Sequence, residues 1–151
     1  MDRFVIFNKK TGERFGIESY GGYKEWKTER AAKGALTRLK KKHLKKFEDD
    51  LAFTFKHVNE QYAKGVFDVE TYGPNRYATQ EGRDAHRERK KKYSGDWKIY
   101  EALCDSEIVT YDYFYENEPM VERTSLRNGR KYMERLNTPC FLSPSCDSHY
   151  R

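Results

Sequence analysis

Arg38, Lys40, Lys41, Lys42, Lys45 and Lys46 crowd six cations into nine positions. At helical spacing Arg38, Lys41, Lys42 and Lys45 lie three or four residues apart and share one face, opposite Leu36, Leu39 and Phe47. Such a stripe can follow a phosphate backbone and gain affinity through counterion release. The competing reading is a solvated face whose charge is matched inside the same chain. Residues Ile99 to Glu134 hold eight acids against four bases, so that alternative has substance.

A second basic segment contains Arg83, Arg87, Arg89, Lys90, Lys91 and Lys92. It has almost no apolar stripe, so either an exposed helix ordered by a partner or a flexible polar linker explains it. Arg87, Lys90 and Lys91 join the first stripe as candidate nucleic-acid contacts. Tyr111, Tyr113 and Tyr115 alternate, which on a strand points all three rings to one face. Exposed rings so spaced could stack on bases, and the alternative is the half-buried face of an antiparallel sheet.

Signals for catalysis or metal binding are sparse. Cys140, Cys146 and His149 are spaced C-x5-C-x2-H, and Cys104 could complete four zinc ligands, but structural zinc sites show tighter pairs such as C-x2-C. Glu25-Trp26-Lys27 fits the E-x-K half of a metal-dependent nuclease site without a well-placed Asp before it. Asp68 and Glu70 alternate on a candidate strand and could share a metal. His43 and His57 stand fourteen residues apart on one helical segment and cannot meet unless it breaks. The phosphate-binding, dinucleotide, zincin and hydrolase motifs are absent. The expectation is a non-enzymatic protein with no cofactor and no metal.

Charge location says more than its sum. The formal net charge is +6, yet residues 29 to 47 carry +7 and residues 83 to 92 carry +4, leaving −5 on the remainder. The chain reads as an acidic body with two basic helices. Its 151 residues fit a single α+β domain, 1–151, with 137–151 as an extended tail. Aliphatics are few, and 12 Tyr with 9 Phe supply much of the apolar surface. No run is long and apolar enough to span a bilayer, no signal-peptide layout opens the chain, and three cysteines suit reduced thiols. The expected location is the cytoplasm, without membrane contact, and the oligomeric state stays open.

The elements that would position these residues follow from periodicity. Phe4 to Ile17 reads as a hairpin around Gly12, with Tyr23 to Trp26 as a possible third strand. From an N-cap at Thr28, apolar residues recur every three or four positions past residue 60, and Gly65 follows as a C-terminal cap. This predicts one long helix over 28–64, or two broken near Glu48-Asp49-Asp50. Val66 to Tyr72 reads as a strand, and Thr79 to about Lys92 as a polar helix. Trp97 to Leu103, Ile108 to Tyr115, Met120 to Leu126 and Arg130 to Arg135 read as an aromatic-rich antiparallel meander, with Asn128-Gly129 as its clearest turn.

Two resemblances add to this. Pro119-Met120-Val121-Glu122-Arg123, Asn128-Gly129, Tyr132-Met133-Glu134, Asn137-Thr138-Pro139, Ser143-Pro144-Ser145 and Tyr150 resemble a recurrent element of tailed-bacteriophage accessory proteins. That element continues as Ser-Glu and closes on Tyr-Trp, where this chain has Cys146-Asp147 and Tyr150-Arg151. The resemblance implies a phage origin and a host-cytoplasm setting, and brings no activity with it. Lys24-Glu25-Trp26-Lys27-Thr28 with Ala31, Ala32, Ala35 and Leu36 resembles the strand-to-helix junction of viroplasmin-like ββα modules. That likeness implies binding to double-stranded RNA or RNA–DNA hybrids.

The expected function is an accessory protein that binds nucleic acid, or a nucleoprotein machine, through its basic helix. Two alternatives stand beside it. One is a protein-interaction module for an acidic host or viral partner, such as a host-factor inhibitor or minor virion component. The other is a small metal-dependent nuclease.

Overall fold

The computed structural model describes residues 2–17 and 22–137. The fold is α+β, and its residues cluster into two compact units. One comprises the described residues up to Leu36 and from Asp105 onward, and the other is Thr37–Cys104. Of the extended tail expected over 137–151, Asn137 is described and is buried in the first unit, while the rest, with Cys140, Cys146 and His149, lies outside the described residues.

In the first unit, β1 (Phe4–Phe7) pairs antiparallel with β2 (Arg14–Phe15) and with β3 (Glu107–Thr110), giving the order β2-β1-β3. The β1–β2 turn is built locally. Asn8 Oδ1 accepts the Lys10 and Thr11 N–H groups at 2.9 and 3.2 Å, and Gly12 adopts φ +77°. A Cβ at Gly12 would also stand 2.3 Å from the Pro119 ring, so both conformation and space demand glycine there. Val5 and Phe7 face one side of β1 and form a cluster with Val109 and Phe114. Ile6 points the other way and is also fully buried. The expected third strand contracts to single bridges, Phe4 to Trp26 and Ile17 to Tyr23.

The expected meander is replaced by mixed structure. β3 ends at Thr110, whose hydroxyl accepts the Tyr113 N–H at 3.2 Å and so caps α5 (Tyr111–Asn117). Phe114, fully buried, packs on Phe7 with ring centroids 5.5 Å apart. Alternation over five residues also fits the i, i+3, i+4 set Tyr111, Phe114, Tyr115, and the cap decides between them. The last hairpin stands as expected, with β4 (Met120–Thr124) antiparallel to β5 (Lys131–Arg135). Arg123 reaches Glu134 diagonally across it at 2.8 Å.

Asn137 ties these pieces together. Its Nδ2 donates to Gly12 O at 2.7 Å, its Oδ1 accepts Arg14 N–H at 2.7 Å, and its own N–H donates to Glu118 at 2.7 Å. The residue is buried, and two of these bonds join positions more than 120 residues apart. Replacing Asn137 by Ala leaves a buried donor and a buried acceptor without partners, at about 1–3 kcal/mol each. We expect Asn137→Ala to destabilise the protein by about 2–4 kcal/mol in urea unfolding. A loss under 0.5 kcal/mol would show that water replaces the amide.

The second unit is helical. α1 (Glu29–Ala63) is one unbroken helix that begins in the first unit and forms the spine of the second. Thr28 Oγ1 accepts the Ala31 N–H at 3.1 Å at its start. Gly65, at φ +74°, donates to Tyr62 O at its end. The Glu48-Asp49-Asp50 segment does not break it, since neither Pro nor Gly interrupts the ladder there. Three short helices follow.

The first, α2 (Val69–Tyr72), replaces the strand expected over Val66 to Tyr72. Asp68 caps it, accepting the Thr71 N–H at 2.7 Å and its hydroxyl at 3.1 Å. Next is α3 (Gln80–Lys91), capped by Thr79. The last, α4 (Gly95–Cys104), replaces the strand expected over Trp97 to Leu103. Ser94 Oγ accepts the Trp97 N–H at 3.2 Å, and Trp97, Tyr100 and Leu103 fall at helical spacing.

Candidate nucleic-acid interface

Arg38, Lys41, Lys42 and Lys45 lie on α1, and the helix ladder fixes their relative positions. All four are exposed, as is Lys46, whereas Lys40 is half-buried. At about 100° per residue the four fall within a sector of roughly 100°, centred opposite the fully buried Phe47. They span about 10 Å of helix axis. None forms an ion pair within its own unit, and none shares a hydrogen bond with a carboxylate there. Two nearby lysines behave differently: Lys33 pairs with Glu29 and Lys91 with Glu88, each at 2.9 Å. The unit 37–104 contains sixteen Lys and Arg against eleven Asp and Glu, so its surplus of cations is not cancelled locally.

The second basic segment plays a different part from the one expected. α3 has no apolar stripe in its letters, yet it packs through the rings and stems of its polar residues. His86 sits 5.7 Å from the Phe55 ring and 4.9 Å from Tyr77, and its Nδ1 is 3.1 Å from the Tyr77 hydroxyl. Burial, with Arg89 and Lys90 nearby, pushes the His86 imidazole below its usual basicity. Arg87 lies over Phe47 at 5.8 Å and pairs with Glu48, and Lys91 lies over Trp97 at 4.5 Å. Lys90 is half-buried. Of the residues expected to reach a ligand from this segment, Arg87 and Lys91 are therefore held by the protein itself. The exposed cations of this segment are Arg89 in α3 and Lys92 just after it.

The three tyrosines do not form one stacking face, because α5 rather than a strand carries them. Tyr111 and Tyr115 are helical neighbours 6.3 Å apart, and Tyr113 turns toward Phe7 at 6.5 Å with Lys9 over its ring. Arg135 stacks on Tyr115 at 3.7 Å. These rings serve the first unit's own cation and aromatic contacts.

The alternative chemistries disperse. Glu25 pairs with Arg3 at 2.7 Å and with the buried Arg14 at 3.6 Å. The Asp68 carboxyl caps α2, and the Thr71 N–H it accepts holds it below the usual carboxylate range. Helical rather than strand geometry separates it from the sharing expected with Glu70. His43 pairs with Asp96 at 2.9 Å, and His57 stacks on Phe53, so the two histidines do not meet. Cys104 is an exposed free thiol. Among the described residues no group of three or more His, Cys, Asp or Glu could hold a metal. A polar cleft of about 330 Å³ is lined by Asp2, Arg3, Glu25, Thr110, Tyr111 and Asp112, with the Arg3–Glu25 pair in its wall. Among the described residues no helix is long and apolar enough to cross a membrane.

Phe53 is the residue that periodicity overlooked. It stands out of phase with the apolar stripe through Phe47, Leu51, Phe55 and Val58, and is 72% exposed. Its helical angle instead places it with Lys42, Lys46 and Lys56. The charged stripe thus carries an aromatic ring in line with it. No protein-family model, curated protein or solved structure matches the chain, so the reading of this face rests on its own geometry and charge.

Proposed function

We propose that this chain is a non-enzymatic accessory protein that binds nucleic acid, or a nucleoprotein assembly, through the exposed cations of α1. A phage source, which the C-terminal resemblance implies, is part of the same proposal. One observation carries it: Arg38, Lys41, Lys42 and Lys45 form a continuous exposed face with no carboxylate partner in their unit. A solvated face needs no ligand, but it gains nothing from concentrating like charges, which repel along a helix by a few tenths of a kcal/mol per pair. A polyanion turns that cost into attraction. About 10 Å of duplex axis carries roughly six phosphate charges, enough to engage all four side chains.

Contacts of this kind read phosphates and not bases, so sequence preference is weak. Four phosphate contacts give a log–log salt slope of about −3 to −4. Binding of a fluorescent 20-mer, followed by anisotropy, should weaken roughly a hundredfold between 50 and 200 mM NaCl. Scrambling its sequence should change affinity only a few-fold. Salt-independent binding, or none at 50 mM, would remove the proposal.

A further inference from the structure

Resting on that nucleic-acid reading, we infer that the preferred ligand is single-stranded, with a base stacked on the exposed ring of Phe53 while its phosphates follow Arg38 to Lys45. Phe53 projects from the polar side of α1, in the sector of Lys42 and Lys46. Its ring lies parallel to that of His57, with centroids 6.2 Å apart and planes inclined by 5°. His57 therefore lies alongside the ring, one turn further on, with its own ring parallel. With 72% of the residue in water, the ring offers a π-surface to an incoming ligand.

The charges along the helix favour a strand that can change direction. Moving from Lys45 toward Phe53, the cations stop at Asp49 and Asp50, both exposed, and resume at Lys56. A duplex continuing straight along α1 would bring phosphates beside Asp49. A single strand can swing its backbone away at that level and turn a base inward, and the ring lies roughly 10 Å beyond Lys46 along the axis. Cations that hold the backbone, followed by an aromatic ring that takes a base, form the arrangement that binds unpaired strands with little sequence preference. A base inside a duplex keeps its faces against its neighbours and cannot use the ring.

The test compares labelled dT20 with a 20-base-pair duplex in anisotropy titrations at 100 mM NaCl. The full chain should bind dT20 at least tenfold more tightly. Phe53→Ala should weaken dT20 binding about five- to a hundredfold, the range seen for loss of one stacked base. Its duplex affinity and its salt slope should stay unchanged, because the phosphate contacts remain. Phe53→Leu should behave like Phe53→Ala, and Phe53→Trp should restore binding, which separates stacking from general greasiness. Because Phe53 is exposed, its substitution should leave the fold intact, and an unchanged circular-dichroism melt checks this. Equal dT20 affinity in Phe53→Ala and the parent, or a duplex bound as tightly as dT20, would overturn the inference while leaving phosphate binding by α1 in place. Loss of all salt-dependent binding in the parent would instead sink the reading beneath it.

Discussion

Replacing Lys41, Lys42 and Lys45 together by Glu is expected to abolish nucleic-acid binding while leaving the fold intact. Each Lys beside an anionic surface contributes about 1 kcal/mol, and reversing its sign substitutes a repulsion of similar size. Three reversals therefore approach 6 kcal/mol, or about 10⁴-fold, enough to push a low-micromolar complex out of the measurable range. The fold should tolerate the change because all three side chains are exposed, and Glu and Lys have nearly equal helix propensity. The one structural cost is Lys45→Glu, which faces Asp49 one turn on and adds a like-charge pair of a few tenths of a kcal/mol. A triple Gln variant should bind at an intermediate level and flatten the salt slope to about −1. A Glu variant that binds like the parent would reject α1 as the contact surface.

The long helix and both of its ends were legible in the sequence. Thr28, Gly65 and an apolar residue every third or fourth position between them are strong, redundant signals, and the structure follows them. Both hairpins were legible for the same reason: Asn8 to Gly12 and Asn128-Gly129 are turn chemistry that few other conformations tolerate. The strand expected at Trp97 to Leu103, and the Tyr111 to Tyr115 part of the one expected at Ile108 to Tyr115, failed where a short aromatic run fits period 2 and period 3.6 alike, whereas Ile108 to Thr110 stands as part of β3. There a single hydroxyl decided, Ser94 for α4 and Thr110 for α5. The face of α1 was readable from spacing alone. Whether acids elsewhere neutralise it was not, because ion pairing depends on contacts that charge counts do not contain.

The roles of Asn137 and Phe53 show two further limits. Asn137 sits where Pro and Ser begin to accumulate, which suggests a tail, yet its amide closes a contact across more than 120 residues. No local pattern encodes a partner that distant. Phe53 falls outside the apolar spacing that defines the helix, although its phase along α1 places it with the lysines. On a polar face, phase carries more information than residue type.

The second large effect concerns α3, whose basic residues serve structure more than the sequence suggests. Phe47 is fully buried, with its ring 4.9 Å from Trp97 and the Arg87 guanidinium over it. Phe47→Ala should cost about 3–5 kcal/mol, the usual loss when a buried aromatic is truncated and its cavity does not collapse. For a chain of this length that lowers the melting temperature by about 6–20 °C at 2–4 °C per kcal/mol. Arg87→Ala should cost far less, about 1 kcal/mol or under, because both partners of its ion pair with Glu48 are more than a third exposed. Below its melting temperature, Phe47→Ala should still bind nucleic acid with the parent's salt slope, since Lys41, Lys42 and Lys45 are untouched. If Phe47→Ala instead melted within 2 °C of the parent, packing on α1 would not be what orders α3. Arg87, Lys90 and Lys91 would then regain their claim as ligand contacts, because a helix without a protein face is ordered by the partner that neutralises it.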